Sequence, residues 1–590
     1  MKYFALIFLT FVSFSLQISA QQLPFSQKQL SLPQLGYSAI AWGDYDRDRD
    51  LDIALSGVEG NTPVTKILRN DNGNFTDISA DLLPLHYGSV EWGDFDADND
   101  LDLLVTGINS QGDAFTKIYT NANGTFNDSG VILPGVSDGQ ASWGDYNNDG
   151  LLDVLLAGNM KAIIFRNDGN GQFTDICAPL PAVQSPMCCW VDYNNDGEMD
   201  VMVCGDTGGG IYTKLFKNSD GVFTEVNITP EPFTGLYGGQ AKWADLDNDG
   251  DQDLVISGMD LYIDAYLLVY RNDGNDQFTK FTIGSGNMLS GSIDLGDFDS
   301  DGLIDLIVMG RTPGCGGNAA TVLLQNTGLM NFLPVSSLLP GYKQGGVTWG
   351  DYNNDGFSDL LFTGLDGFEV PQTILYLNNL GDTAFAQNTP PTVPAGLGYT
   401  MEANRAILHW NSASDAQTPK NGLSYNILIG TQPNLYDVMA PMANAATGSR
   451  FVATPGNASA DTSWIISGIS PGNYYFSIQT IDNGFMPGTF STPTMFSYQP
   501  VGLSDEVNAH LQVYPNPCKN RVYVEVSRLL SSSDGDENKN FTIIILNYQG
   551  KMVYQGFNSG EIDVSRLPSG IYLLKIQYGD NVFLRKLVKE

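Results

Sequence analysis

The chain has 590 residues, with 29 Lys and Arg against 66 Asp and Glu, a formal net charge of −37, and 42% hydrophobic residues. That length exceeds one ordinary hydrophobic core and points to several domains. So acidic a surface repels phosphate, which is bound by clustered Lys and Arg, so no nucleic acid and no anionic membrane is expected as a partner.

From the N-terminus, residues 1–20 (MKYFALIFLTFVSFSLQISA) place one lysine before an apolar stretch, and small residues Ser19 and Ala20 before Gln21. This is the pattern of a secretory signal peptide cut after Ala20. No later run of 18 or more apolar residues follows, so no transmembrane segment is expected in the mature chain.

Residues 21–388 repeat one phrase seven times: DYDRDRDLD, DFDADNDLD, DYNNDGLLD, DYNNDGEMD, DLDNDGDQD, DFDSDGLID and DYNNDGFSD. Oxygen-bearing side chains fall at positions 1, 3, 5 and 9 of each. They are Asp44, Asp46, Asp48 and Asp52; Asp94, Asp96, Asp98 and Asp102; Asp145, Asn147, Asp149 and Asp153; and Asp192, Asn194, Asp196 and Asp200. The last three loops supply Asp245, Asp247, Asp249 and Asp253; Asp297, Asp299, Asp301 and Asp305; and Asp351, Asn353, Asp355 and Asp359. This spacing suits calcium, a hard cation that takes six to eight oxygens in adaptable geometry, better than magnesium. Up to seven calcium ions are therefore expected. Aspartate and asparagine favour turns on their own, but seven copies in register exceed that tendency. Position 6 needs a left-handed backbone, which glycine supplies in five loops. Asn99 substitutes acceptably; Arg49 does not, so the first loop is expected to be the weakest site.

Between loops the pattern is four short strands, seen in one repeat as Ser89–Trp92, Leu101–Thr106, Thr116–Tyr119 and Thr125–Asn127. The first strand usually ends in Trp-Gly-Asp, the second is a continuous apolar run, and the last two form a hairpin. Seven such units predict a closed, seven-bladed β-propeller. Phe25–Leu35 looks like the last strand of an incomplete repeat and would seal the ring, and Thr383–Gln387 competes for that place. The loops resemble those of integrin α-subunit propellers and of FG-GAP and VCBS repeats, which implies calcium in a structural role.

Residues 389–500 lack aspartate loops and open on a Pro-rich linker, NTPPTVP. Trp410, and Tyr474 following Pro471, Gly472 and Asn473, are similar to the core tryptophan and tyrosine corner of a fibronectin type III domain, expected here as a spacer. Residues 501–590 contain VYPNP, ILNYQGKMVYQG and IDVSRLPSGIYLLKIQYGD. Tyr514, Pro515, Asn516, Pro517, Gly550, Lys551, Leu567, Gly570, Tyr572 and Lys586 make this stretch resemble a type A C-terminal sorting domain of the type IX secretion system. That resemblance implies the type IX machinery as a partner, export through the outer membrane of a Gram-negative bacterium, and secretion or attachment at the cell surface. The expected fold class is all-β: the propeller, a fibronectin-like β-sandwich and a small C-terminal β-sandwich.

Cys177, Cys188, Cys189 and Cys204 cluster in one repeat, where a local disulfide and small buried hydrophobes are both open readings; Cys315 and Cys518 stand apart. The three histidines, His86, His409 and His510, fall one to each expected domain, and neither a G-x-S-x-G elbow nor a P-loop occurs. No catalytic residue is assigned, and the chain is read as a non-enzyme that binds glycans or surface proteins. The alternatives are a polysaccharide-degrading enzyme on a propeller scaffold and a purely structural surface component. Variable connections on the face away from the aspartate loops carry the ligand-face candidates Tyr37, Tyr87, Phe233, Tyr237, Tyr262, Tyr266 and Tyr342.

Overall fold

The computed structural model describes residues 24–499, apart from 285, 314–316, 338, 382–386, 403–404 and 459. In the C-terminal part it describes 511–514, 517–526, 541–547, 551–557, 561–578 and 581–589. Residues 1–20, expected as a signal peptide, and Cys315, His510, Pro515, Asn516 and Gly550 lie outside the described residues. The chain divides into two compact units, Met1–Thr400 with Arg405–Tyr498, and Met401–Asn404 with Gln499–Glu590.

In the first unit, seven four-stranded antiparallel sheets appear among the described residues. The first consists of Leu35–Gly43, Asp52–Glu59, Thr62–Asp71 and Asn74–Asp77. The expected apolar second strands are buried on both faces, as in Asp102–Ile108 and Asp305–Arg311. Each sheet packs on the next as a blade, and the glycine of Trp-Gly-Asp sets the spacing. A Cβ on Gly43, Gly93 or Gly144 would come within 2.7 Å of the tryptophan of the following blade, and Gly350 meets Trp42 the same way, joining last blade to first.

The N-terminal segment closes the ring. Phe25–Lys28 pairs antiparallel with Pro371–Asn378, Phe25 opposite Asn378, as the outer strand of the last blade. Phe25 fixes it there, buried with its ring 6.0 Å from Phe298 and 5.9 Å from Trp349. Of the competing segment Thr383–Gln387, residues 383–386 lie outside the described residues.

The rest of the unit is two three-stranded sheets. One is Ala395–Glu402, Arg405–Asn411 and Ser463–Ser467; the other is Ser424–Gly430, Gly472–Ile481 and Thr494–Tyr498. Trp410 packs edge-on against Tyr425 at 5.6 Å, and the Tyr474 hydroxyl donates to the Ser470 carbonyl at 2.6 Å, the geometry of a tyrosine corner.

The second unit pairs Leu511–Tyr514, Arg521–Val526 and Glu561–Asp563 in one sheet. Its other sheet joins Met552–Phe557, Phe541–Leu546, Gly570–Tyr578 and Asn581–Lys589. Val522, Ile543, Ile545, Ile562, Leu574 and Leu587 form its core. Among the described residues no helix is long and apolar enough to cross a membrane.

Candidate metal centres and the two faces of the ring

Every aspartate loop joins the first strand of its blade to the second, so all seven lie on one face of the ring. Positions 4 and 6 are both left-handed: φ is 81° at Arg49, 75° at Asn99, and 85–92° at the five glycines. That double reversal turns the side chains of positions 1, 3 and 5 inward. In loops 2 to 7 the position-1 carboxylate accepts the backbone N–H groups of positions 5 and 6, as Asp145 does from Asp149 (3.0 Å) and Gly150 (2.8 Å). In loop 1 Asp44 accepts from Arg49 at 3.0 Å through Oδ2, while its Oδ1 is buried without a hydrogen-bond partner. The first loop is thus built differently, at the residue where the sequence departs from the pattern.

The position-9 aspartates anchor the loops and are 0% exposed in all seven blades. Asp153 accepts the Tyr146 N–H at 3.1 Å and the Asn167 N–H at 2.7 Å, and every other blade repeats both bonds. The asparagines that close this arrangement are Asn70, Asn121, Asn167, Asn218, Asn272, Asn326 and Asn378, all buried. Each side chain donates to a carbonyl of the preceding blade's loop, as Asn272 does to Tyr193 at 2.7 Å. Read in sequence they look like hairpin-turn residues; here they latch blade to blade. The available signal was an asparagine at the end of the third strand in all seven repeats. Position 4 adds a second ring of bonds: Asn148 to Gly197, Asn195 to Gly250, Asn248 to Gly302 and Asn354 to Arg49, at 2.9–3.2 Å.

Three acidic oxygens from each of loops 1, 2, 5 and 6 come within 4.8 Å of one another: Asp44, Asp46 and Asp48; Asp94, Asp96 and Asp102; Asp245, Asp247 and Asp253; Asp297, Asp299 and Asp305. Asp247 and Asp299 each keep one buried oxygen without a partner. Burial, reinforced by neighbouring carboxylates, pushes Asp94 and Asp297 up to about 7, Asp102 and Asp153 to about 8 and Asp305 to about 9. Converging, desolvated carboxylates with unfilled acceptors fit a hard cation, which would neutralise them.

The loop face is covered. Backbone N–H groups of Asp94 and Asp351 donate to the carbonyls of Phe451 (2.9 Å) and Asn483 (3.2 Å), and Ser467 N–H donates to Asn195 at 2.9 Å. Asn148 exchanges bonds with Val438 (3.1 Å) and Ala440 (2.8 Å). The two-sheet module is therefore docked on the loops, where the sequence suggested a spacer. This gives the position-6 glycine a second cause, since a Cβ on Gly197 or Gly356 would lie 2.3 or 1.9 Å from a module carbonyl. Between module and ring lies a cavity of about 580 Å³, lined by Trp42, Trp92, Trp143, Trp190, Trp243 and Trp349 with Glu91, Lys242 and Asp294. Lys242 pairs with Asp294 at 3.4 Å, and burial pushes Glu91 up to about 7. From the module's side Arg450 donates to the carbonyls of Pro441, Thr454 and Pro455, and burial pulls it down to about 9.

The opposite face has its own ring. Tyr37 N–H donates to Gln344 (2.7 Å), Tyr87 N–H to Tyr37 (3.2 Å), Asp138 N–H to Tyr87 (2.8 Å) and Gly238 N–H to Ser185 (3.0 Å). The Tyr37 and Tyr87 rings lie 4.7 Å apart, and burial, with Tyr37 next, pushes Tyr87 up to about 12. Tyr262 is 82% exposed, and Tyr266 donates to Asp260 at 3.3 Å beside it; Tyr237 is half-buried. Phe233 and Tyr342 do not belong to this surface. Phe233 is 6% exposed against Tyr270 and Phe278, and Tyr342 is 2% exposed against Phe362. Cys177, Cys188, Cys189 and Cys204 are free thiols, with Cys188 and Cys204 buried in the blade core.

Residues 512–590 match the family described as a secretion system C-terminal sorting domain. Five overlapping stretches, 44–105, 94–156, 145–203, 192–256 and 245–308, match the FG-GAP-like repeat. No curated protein matches the chain. Among solved structures it is similar to an Agrocybe aegerita lectin specific for non-reducing terminal N-acetylglucosamine (18% identity, 60% of this chain and 87% of that one, TM-score 0.36). It is also similar to an exotype rhamnogalacturonan lyase (11%, 65% and 81%, TM-score 0.32). A third is the Aleuria aurantia lectin with α-methyl-L-fucoside (10%, 52% and 99%, TM-score 0.31). The chain carries FG-GAP-like repeats ahead of a type IX secretion sorting domain, and is a protein exported by that route, secreted or attached at the cell surface.

Proposed function

We propose that this is a non-catalytic binding protein of the cell exterior, its propeller stabilised by calcium and its ligand, a glycan or a surface protein, read on the face turned away from the aspartate loops. In this reading residues 1–20 are a signal peptide, 21–388 the propeller, 389–500 a fibronectin type III-like module and 501–590 the sorting domain. The oxygens at positions 1, 3, 5 and 9 of the loops hold the ions, which lets carboxylates sit together that would otherwise repel.

The observation that carries the proposal is the contrast in access. The loop face is taken by the two-sheet module, whereas Tyr37 and Tyr87 lie tilted against each other on the face opposite, beside Asp138, offering the aromatic face and polar edge that sugar rings stack on. A calcium-replete glycan array tests it. Binding by the full chain that disappears in a Tyr37→Ala, Tyr87→Ala double variant is the expected result. An empty array, together with an empty pull-down from surface polymers, would remove the adhesive reading. Polysaccharide degradation is the competing reading, and Glu91, a half-buried carboxyl in the cavity lining that desolvation holds up at about 7, is the observation in its favour. Shortened polysaccharide chains after incubation with the protein, abolished by Glu91→Gln, would establish it.

A further inference from the structure

The module sets an unpaired cation against the ring. Arg450 closes a short hairpin by bridging to Ala443, and its neighbours are pinned: the Phe451 carbonyl accepts the Asp94 N–H at 2.9 Å, and Phe451 and Val452 are buried among apolar residues of the blades. The Arg450 side chain is half-buried and lines the cavity between module and ring. Nη1 donates to Pro441 at 3.0 Å and Nη2 to Thr454 and Pro455 at 3.3 and 3.2 Å, all neutral carbonyls, while the buried Nε–H has no acceptor. Among the described residues no carboxylate pairs with it and no neighbouring charge acts on it, in a chain with 66 acidic residues against 29 basic ones. The other charged groups of the cavity have partners. Asp294 pairs with Lys242 at 3.4 Å and accepts the Trp349 N–H at 3.0 Å, and Glu91 accepts the Trp143 N–H at 3.4 Å. A guanidinium withdrawn from water without a counter-charge is costly, and an anion removes that cost. The cavity, about 580 Å³, is of a size that encloses small ligands, and six of the chain's eight tryptophans line it. Trp190 and Trp243 are the half-buried ones, with ring surface left to cover.

We infer that this cavity is a binding site for a small sugar acid, its carboxylate pairing with Arg450, its ring lying against the indoles, and its hydroxyls meeting Lys242, Asp294 and Glu91. A carboxylate is the planar acceptor that a guanidinium fork matches, and the apolar face of a sugar ring packs on aromatic side chains. The site is separate from the ligand face around Tyr37 and Tyr87 and does not depend on it. It asks for no bond to be broken, so it is also independent of any degradation at Glu91.

The test is tryptophan fluorescence of the full chain titrated with D-glucuronate and with D-galacturonate, alongside calorimetry for the stoichiometry. The readout reports the cavity, because the two remaining tryptophans, Trp410 and Trp464, are buried within the module. One saturable site is expected for at least one of the two acids. The corresponding uronamide, the same ring without the charge, should bind about tenfold or more weakly, as loss of a charge-assisted hydrogen bond predicts. Arg450→Gln should weaken the acid to the same extent, and Arg450→Lys should keep part of the binding. A thermal melt shows whether each variant is folded, and the comparison of acid with amide needs no variant. No saturable change with either acid, equal binding of the amide, or a folded Arg450→Gln that binds as the wild type does would each overturn the site. Inorganic sulfate binding as tightly as the acids would overturn it too, leaving an adventitious anion only.

Discussion

The two faces of the propeller are built on the same blades and solve opposite problems. On one face seven near-identical loops gather carboxylates, lock them with backbone N–H groups, and are then covered by a second module. On the other the connections differ from blade to blade and leave Tyr37, Tyr87 and Tyr262 accessible. Repetition suits a fastener, because each loop has the same task of holding a blade to its neighbour. Variation suits recognition, because a ligand is read by a few particular side chains.

The largest effect that would sharpen this comparison is metal removal. Excess chelator should lower the melting temperature markedly, since the loop carboxylates would then face one another unneutralised; an unchanged melt would end the calcium assignment. Next is the pH dependence of the ion-free chain. Burial holds Asp94, Asp153 and Asp305 up to about 7, about 8 and about 9 in the folded chain, against 3.8 for an ordinary aspartate. The folded state therefore binds more protons between about 4 and about 9, so this contribution to stability is full at the acid end and is lost as pH rises through the folded values toward about 9. With calcium bound the slope should flatten, and a chelated protein that gains stability over the same range would contradict the account.

Smaller effects separate the two rings of bonds on the loop face. Asn272→Ala strands a buried Tyr193 carbonyl and should cost about 1–3 kcal/mol in denaturant unfolding. Asn248→Ala removes one exposed bond to Gly302 and should cost about 1 kcal/mol or less. Equal costs would mean that the latch is not what couples the blades. Smallest of all, Tyr87→Ala should leave the melting temperature nearly unchanged while weakening ligand capture on the array.

The aspartate phrase, the Trp-Gly step and the apolar second strand made the blade legible in sequence, because each is a local demand of backbone or burial. Closure was half legible: Phe25–Leu35 was a candidate closing segment, but its choice depends on the pocket that Phe298 and Trp349 make for Phe25, residues far along the chain. The asparagine latch was hidden because Asn before a turn has a sufficient local explanation. Docking of the module was not legible at all: Phe451, Ser467 and Asn483 meet the loops through backbone atoms, and the Ser467 and Asn483 side chains that also donate to the Asn194 and Gly356 carbonyls stand in no pattern that marks a docking face. Phe233 and Tyr342 went to the wrong surface for a related reason: whether an aromatic in a connection turns in or out is set by its neighbours in space.

Amide hydrogen exchange on the full chain, with calcium and with chelator, tests the division between the faces most directly. The amides of Asp94, Asp351 and Ser467, which bond across the seam between loops and module, should lose protection when the metal is removed. Those of Tyr37, Tyr87 and Asp138, which ring the opposite mouth, should keep theirs. Equal loss on both faces, or none on either, would contradict the account.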